Sequence, residues 1–209
     1  MKPMTASPVT RLFDRVSKVY DTQLLQTLVY RPAQDMVLDI LRDAGVGRVL
    51  DVGCGTGIFT TRMHHVLGAE VVGCDLSEGM LAQARERSTY VEWMRGDVTC
   101  LPLGDASVDA AVCTEAFHWF DQPAALAELA RVVRPDGLLL IAMINPRTAI
   151  GSRLLGEQAR VLGAGTWPSK ARMRSMVERA GFRVTKQHRV RRLASVALPT
   201  VLTEAVRVA

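Results

Sequence analysis

The stretch Arg48-Val-Leu-Asp-Val-Gly-Cys-Gly-Thr-Gly-Ile58 runs an apolar strand pattern straight into three glycines at alternate positions. A chain that leaves a strand through such a loop must turn sharply, because glycine takes backbone conformations closed to other residues. Four more short apolar runs follow, at residues 71–74, 91–94, 108–113 and 138–144. Several are continuous rather than alternating. Continuous runs suit strands covered on both faces, as in a parallel sheet flanked by helices.

Helical patterns lie between the runs. Residues 56–67 form one, and residues 77–87 another, with Ser77 as its N-cap. A third covers 124–133, where Leu126, Leu129, Ala130 and Val133 share a stripe and Pro135-Asp-Gly137 supplies a stop. Upstream, residues 12–20 and 33–41 also read as helical, and Pro32 suits a first turn. Downstream come an amphipathic segment at 150–162, the turn Gly163-Ala-Gly165, a helix at 169–180 between Ser169 and Gly181, a strand at 182–193 and a final strand near 204–208. The alternation predicts an α/β doubly wound sheet, mostly parallel, with helices on both faces and right-handed connections. Ligands of such sheets bind beyond the C-terminal ends of the strands. The residues just after each run are therefore the candidate site.

A chain of 209 residues with 48% hydrophobic side chains fits one domain with a sizeable core. The expected layout is a helical substrate or lid segment at 1–44, a cofactor-binding core at 45–145, a variable insert at 146–168, and a closing helix with strands at 169–209. No apolar run approaches the length of a membrane span, and MKPMTASPVT lacks the apolar stretch of a secretory signal, so a cytoplasmic location is expected. Cys54, Cys74, Cys100 and Cys113 match no zinc spacing and read as reduced and mostly buried, with no metal expected. The charge is uneven. Residues 1–140 hold 13 basic and 18 acidic side chains, whereas residues 141–209 hold 13 and 3. The basic third could steer an anionic substrate, a membrane surface or nucleic acid, or simply be a solvated surface.

Which nucleotide the glycine loop takes follows from spacing and charge. A dinucleotide fingerprint needs its third small residue at position 58 counted from Gly53, or 60 counted from Gly55; these are Ile58 and Thr60. Asp51 lies two residues before the loop, where a pyrophosphate would meet a carboxylate at short range. An ammonium is favoured there. S-adenosylmethionine carries an ammonium and a sulfonium and no phosphate. Asp75 ends the second run and can accept bonds from ribose hydroxyls. Asp97 follows the third, where it and the Val98 N–H can read the adenine edge. Each aspartate alone could be a turn former or helix cap. Three at successive strand ends favour a ligand.

Leu50-Asp-Val-Gly-Cys-Gly-Thr-Gly57, Gly73-Cys-Asp-Leu-Ser77 with Met80-Leu81, and Gly96-Asp-Val-Thr-Cys-Leu-Pro102 together resemble the class I S-adenosylmethionine-dependent methyltransferases. So do Val108-Asp-Ala-Ala-Val112 and Leu129-Ala-Arg-Val-Val-Arg-Pro-Asp-Gly-Leu138. The likeness is greatest to the small-molecule subgroup that includes the ubiquinone/menaquinone-biosynthesis enzymes. It covers about residues 48–145, and Phe13-Asp-Arg-Val-Ser-Lys-Val-Tyr-Asp21 is similar to that subgroup's N-terminal segment. The resemblance implies a Rossmann-like fold with S-adenosyl-L-methionine as cofactor and S-adenosyl-L-homocysteine as product. It implies that Asp51, Gly53, Cys54 and Gly55 hold the methionine part, that Asp75 holds the ribose, and that Leu76 and Met80 pack on adenine. Asp97 and Val98 would read the adenine edge, Thr114 would lie near the sulfonium, and Tyr20 would close over the site.

The acceptor loop is Thr114-Glu-Ala-Phe-His-Trp-Phe-Asp121. Methyl transfer is a displacement, so positioning supplies much of the rate, and a base matters only where the nucleophile must lose a proton. His118 is the candidate base, with packing or cofactor positioning as its alternative. Glu115 is a second candidate. Trp119 and Phe120 either wall an apolar acceptor pocket or belong to the core. His64, His65 and His188 read as structural or surface residues. The Asn/Asp-Pro-Pro-aromatic motif of DNA amine methyltransferases is missing, and the loop also departs from the quinone enzymes. Arg147, with Arg153 and Arg160, could meet an anionic or lipid-bound acceptor. The expected function is methylation of a small or lipid-like molecule, at oxygen or carbon. An RNA-directed enzyme and a non-catalytic cofactor-binding module are the alternatives, and a dehydrogenase is disfavoured by the loop. No nucleic-acid partner is expected, since no aromatic run accompanies the arginines; a homodimer stays open.

Overall fold

The computed structural model describes residues 30–144, 166–190 and 199–208. The expected helices at 12–20 and 150–162 lie outside them, as does the end of the expected strand at 182–193. The described elements are α1 (Arg31–Ala44), β1 (Arg48–Val52), α2 (Ile58–Leu67), β2 (Glu70–Asp75), α3 (Glu78–Arg87), β3 (Glu92–Arg95), β4 (Val108–Thr114), α4 (Gln122–Val132), β5 (Val133–Ile144), α5 (Lys170–Arg179), β6 (Phe182–Val190) and β7 (Thr200–Arg207). The strands form one seven-stranded sheet in the order β3-β2-β1-β4-β5-β7-β6. The pairs among β1 to β5 are all parallel, and β7 runs antiparallel to both β5 and β6. This is the doubly wound Rossmann-like sheet with an antiparallel last strand.

The continuous apolar runs follow from burial on two faces. Val49, Val71, Ala110, Val112, Leu140 and Leu202 share a cluster with Val37 and Leu41 of α1 and Met63 of α2. Their chain neighbours Leu50, Val72, Ala111, Leu139 and Ile141 point the other way, into a cluster with Leu126 and Leu129 of α4 and Met173 and Val177 of α5. Successive strand residues face opposite sides of a sheet, so every position must be apolar when both sides are covered. The helix stops and starts obey local chemistry. Ser77 Oγ accepts from Met80 N, and Ser169 Oγ accepts from Arg172 N. Helix α1 ends on Gly45 in the left-handed region.

Two boundaries differ from the expected ones. Helix α4 begins at Gln122 because Asp121 Oδ1 accepts from Ala124 N and caps it. It also stops before Pro135: Val133 already pairs with Val108, and Ala110 next pairs with Leu138. The Pro135-Asp-Gly137 segment is thus a bulge at the start of β5, with Asp136 at φ +60°. Asp109 secures this end of the sheet. Its Oδ2 accepts from Gly47 N and Arg48 N, both at 2.8 Å, and its Oδ1 accepts from Arg134 Nε at 2.6 Å. Arg134 first, and then the two backbone N–H groups, hold the Asp109 carboxyl below the usual carboxylate range. A depressed carboxylate stabilises the fold above its unfolded pKa and loses that effect as pH falls through the folded value. Asp109→Asn is therefore expected to cost about 1–2 kcal/mol at neutral pH. It should also flatten the loss of stability below about pH 4. Urea unfolding across that range checks both; a parallel acid limb in parent and variant would remove Asp109 from it.

Candidate functional site

The order β2-β1-β4 places a switch point between β1, whose chain leaves toward β2, and β4, whose chain leaves toward β5. The C-terminal ends of these strands carry the residues singled out from the sequence. After β1 the loop takes left-handed backbone at Gly53, Gly55 and Gly57, with φ of +70°, +57° and +76°. The three glycines do different things. A Cβ on Gly53 would lie 2.4 Å from Ala116 Cβ, and one on Gly57 would lie 2.4 Å from Trp93 Cη2. Those two glycines admit protein neighbours. At Gly55 a Cβ would meet nothing within 4 Å, so this glycine borders open space.

The loop is tied to the end of β2. Gly53 N and Cys54 N both donate to Cys74 O, at 2.8 and 3.1 Å. Asp75 Oδ2 accepts from Gly55 N at 2.8 Å, and its Oδ1 accepts from Ser77 N at 2.9 Å. Arg87, in the last turn of α3, donates Nε to Thr56 O at 3.0 Å. Trp93 props the loop from β3; its ring lies against Gly57 and Gly73, and its Nε1 donates to Ser88 O at 2.8 Å. Leu76 is half-buried, and Met80 is buried on α3.

Asp51 ends nearly sealed, with 1% of its surface exposed. Thr60 donates its hydroxyl to Oδ2 at 2.6 Å, while Oδ1 is buried and has no hydrogen-bond partner among the described residues. Burial first, and the Asp75 charge behind it, push the Asp51 carboxyl up to about 7 against the lowering effect of Thr60. Burial likewise raises the Cys54 and Cys113 thiols well above their ordinary range, which keeps both neutral. Asp97 lies past β3. Its Oδ1 accepts from Thr99 N at 2.9 Å and from Thr99 Oγ1 at 2.8 Å. Val98 beside it is buried.

Thr114 closes β4, and Glu115 follows in the left-handed region at φ +58° with its N–H on Ala142 O. A non-glycine residue there is strained, a feature that concentrates at functional sites. Phe117–Trp119 form a 3₁₀ turn. His118 packs against two indoles: the Trp119 centroid is 4.7 Å away and the Trp167 centroid 5.1 Å, the latter ring nearly parallel at 20°. Burial alone lowers the His118 imidazole to about 4. Phe120 meets Phe117 edge-on and also lies against Gly53.

The fold therefore brings Asp51, Gly53, Cys54, Gly55, Asp75, Leu76, Met80, Asp97, Val98, Thr114, His118 and Trp119 to the C-terminal side of the sheet. Tyr20 and Arg147 lie outside the described residues. His64 is elsewhere, its Nδ1 on Ala69 O and its ring stacked on Tyr90, and His188 pairs with Glu204 Oε2 at 2.7 Å. Sequence reasoning missed Thr60, Gln122 and Trp167. Thr60 lies nine residues from Asp51 on the buried face of α2, and that helix spacing was the available signal. Trp167 carried none, since it is far from the loop in sequence.

The family described as "Methyltransferase domain" matches residues 50–141. A malonyl-[acyl-carrier protein] O-methyltransferase of Serratia marcescens is 36% identical over 137 residues, which cover 65% of this chain and 52% of that protein. An uncharacterized methyltransferase of Mycobacterium tuberculosis is 41% identical over 121 residues, 57% of this chain and 49% of the relative. The chain thus spans about half the length of these curated relatives. Among solved structures, the magnesium protoporphyrin IX methyltransferase of Synechocystis, with bound S-adenosylhomocysteine, superposes with a TM-score of 0.71 at 22% identity over 94% of each chain. A methyltransferase of Aquifex aeolicus gives 0.70 at 23% identity, over 94% of this chain and 98% of its own. At such identities the structural likeness speaks for the fold. No helix among the described residues is long and apolar enough to cross a membrane.

Proposed function

Residues 50–141 belong to the methyltransferase-domain family, of the class I S-adenosylmethionine-dependent kind, and from this premise we propose that the protein methylates a small-molecule or lipid-like acceptor, at oxygen or carbon. The observation that carries the reading is the Asp51 carboxylate. It is sealed, bonded to Thr60 through one oxygen, and without a partner at the other among the described residues, beside a loop whose Gly55 borders open space. A buried oxygen of this kind suits a cationic partner and repels a phosphate. Those residues fit S-adenosylmethionine, which when bound supplies an electrophilic methyl group.

The chain's own residues supply binding and orientation. Asp51 would take the α-ammonium and Gly53, Cys54 and Gly55 would line the methionine part. Asp75 has both oxygens on backbone N–H groups, yet a carboxylate offers about four acceptor sites, which leaves capacity for ribose hydroxyls. Leu76, Met80, Asp97 and Val98 would form the adenine side. Thr114, Glu115 and Trp119 would face the acceptor, and Tyr20 and Arg147 remain proposed contacts from segments outside the described residues. The Serratia relative, a malonyl-[acyl-carrier protein] O-methyltransferase, favours an oxygen acceptor within this class.

Calorimetry with S-adenosylmethionine, S-adenosylhomocysteine and NAD tests the reading; binding of NAD alone would overturn it. The Asp51 carboxyl adds a pH signature. A ligand ammonium favours its ionised form, so affinity should be greatest near about pH 8, above which the ligand amine loses its own proton, and fall as acid protonates the group. With a ligand-free value of about 7, roughly 30-fold weaker binding is expected at about pH 5.5. Asp51→Asn should bind weakly with no such slope; an equal slope in the variant would place the titrating group elsewhere.

A further inference from the structure

Gln122 is a buried polar side chain at the head of α4. Its Nε2 donates to Thr166 O at 2.7 Å and to Phe117 O at 3.4 Å. Thr166 N donates in turn to His118 O at 2.8 Å. These bonds fasten the chain that enters α5 onto the 3₁₀ turn after β4. They also bring Trp167 flat against the His118 ring, which makes a second, tilted contact with Trp119.

The His118 ring held in this way has a sealed Nδ1 with no hydrogen-bond partner among the described residues. The proton of a neutral imidazole sits on one nitrogen or the other. On Nδ1 it would be a buried donor without an acceptor, and orphaned buried N–H groups are rarer than under-used acceptors. On Nε2 it leaves only a bare lone pair inside. A second proton would place a charge in a buried site, and burial lowers the imidazole. Among the described residues, the same loop carries Glu115 and Asp121, and Lys170 opens α5.

Building on the methyltransferase reading, we propose that His118 serves the acceptor site as a fixed hydrogen-bond donor through Nε2, with Gln122 and Trp167 as the positioning residues that lock this tautomer. The group it faces on the acceptor is an oxygen. His118 then orients the acceptor and takes no proton from it.

The test is nitrogen-15 spectroscopy of the full chain labelled at histidine and saturated with S-adenosylhomocysteine. His118 is expected to show the Nε2–H pattern and to keep it from about pH 5.5 to 8, where an ordinary histidine titrates. Gln122→Ala should release the lock, giving mixed tautomers and a midpoint that climbs toward the ordinary value. Trp167→Leu serves as the second variant, since it removes the stack and leaves the clamp. An Nδ1–H pattern in the parent, or a midpoint near the ordinary value, overturns the proposal. An unchanged His118 pattern in both variants overturns the positioning roles. Calorimetry and a spectrum of the parent before ligand is added separate the two readings: an Nε2–H pattern without S-adenosylhomocysteine binding counts against the methyltransferase function and not against the tautomer.

Discussion

Asp75→Ala is expected to abolish measurable binding of S-adenosylhomocysteine. The residue is the tie between two loops, with Gly55 N on one oxygen and Ser77 N on the other. Bonds to a charged acceptor contribute about 1.5–3 kcal/mol each, and stranding a buried donor costs about 1–3 kcal/mol. Removing the carboxylate loses both ties together with any ribose contact. Only part of that total falls on binding, because water reaches the half-exposed Gly55. Even about 3 kcal/mol of it weakens binding more than 100-fold. Asp75→Asn is a sharper form of the test. Its amide presents one oxygen and one NH₂, so one of the two backbone N–H groups must face a donor. It should fold and still bind at least tenfold more weakly. Calorimetry within threefold of the parent for either variant would mean that Asp75 only shapes the turn.

The second large effect falls on the fold. Gly57→Ala is expected to destabilise the protein by about 2–5 kcal/mol, the sum of a left-handed alanine and an overpacked contact. The added Cβ would lie 2.4 Å from Trp93 Cη2 and 2.9 Å from Ala84 Cβ at φ +76°. Neither neighbour is a flexible chain end: Trp93 is pinned by its Nε1 bond to Ser88 O, and Ala84 is part of α3. For a chain of this size that corresponds to a melting temperature lower by roughly 5–15 °C. Gly55→Ala is the control. It carries the same backbone penalty at φ +57° and meets no atom within 4 Å, so it should cost about 1 kcal/mol. Its methyl enters the space assigned to the ligand, so its loss should show in calorimetry rather than in thermal unfolding. If Gly57→Ala melts within about 2 °C of the parent, Trp93 gives way and does not prop the loop.

Much of this architecture was legible because burial on two faces writes itself into consecutive residues. Strand β2 and the second half of β5 read as apolar runs for that reason, and so do β1 and β4 apart from Asp51 and Asp109. The caps at Ser77 and Ser169 were legible because a hydroxyl before a helical pattern has a local job. The start of β5 was not. Its bulge depends on Asp109, a residue on another strand, holding Arg134. The glycine loop was read as one unit facing a ligand, whereas two of its three glycines make room for Trp93 and Ala116. Spacing shows that glycine is needed, and only the tertiary arrangement shows what each one admits. The pairing of His118 with Trp167 was hidden for the same reason, whereas that of Asp51 with Thr60 left a trace in the helix spacing and was passed over.

The strand order has one more consequence. Strand β6 leaves the ribosome before β7, yet within the sheet it pairs with β7 and with no earlier strand. The nascent chain can assemble β1 to β5 as each strand emerges, since every one of them has its neighbour among those five. It then holds an open β5 edge, Leu138 to Ile144, until Thr200–Arg207 slides in as the seam between the two parts. Strand pairing in this protein therefore cannot be completed in the order of synthesis, and the apolar edge of β5 is the surface left waiting.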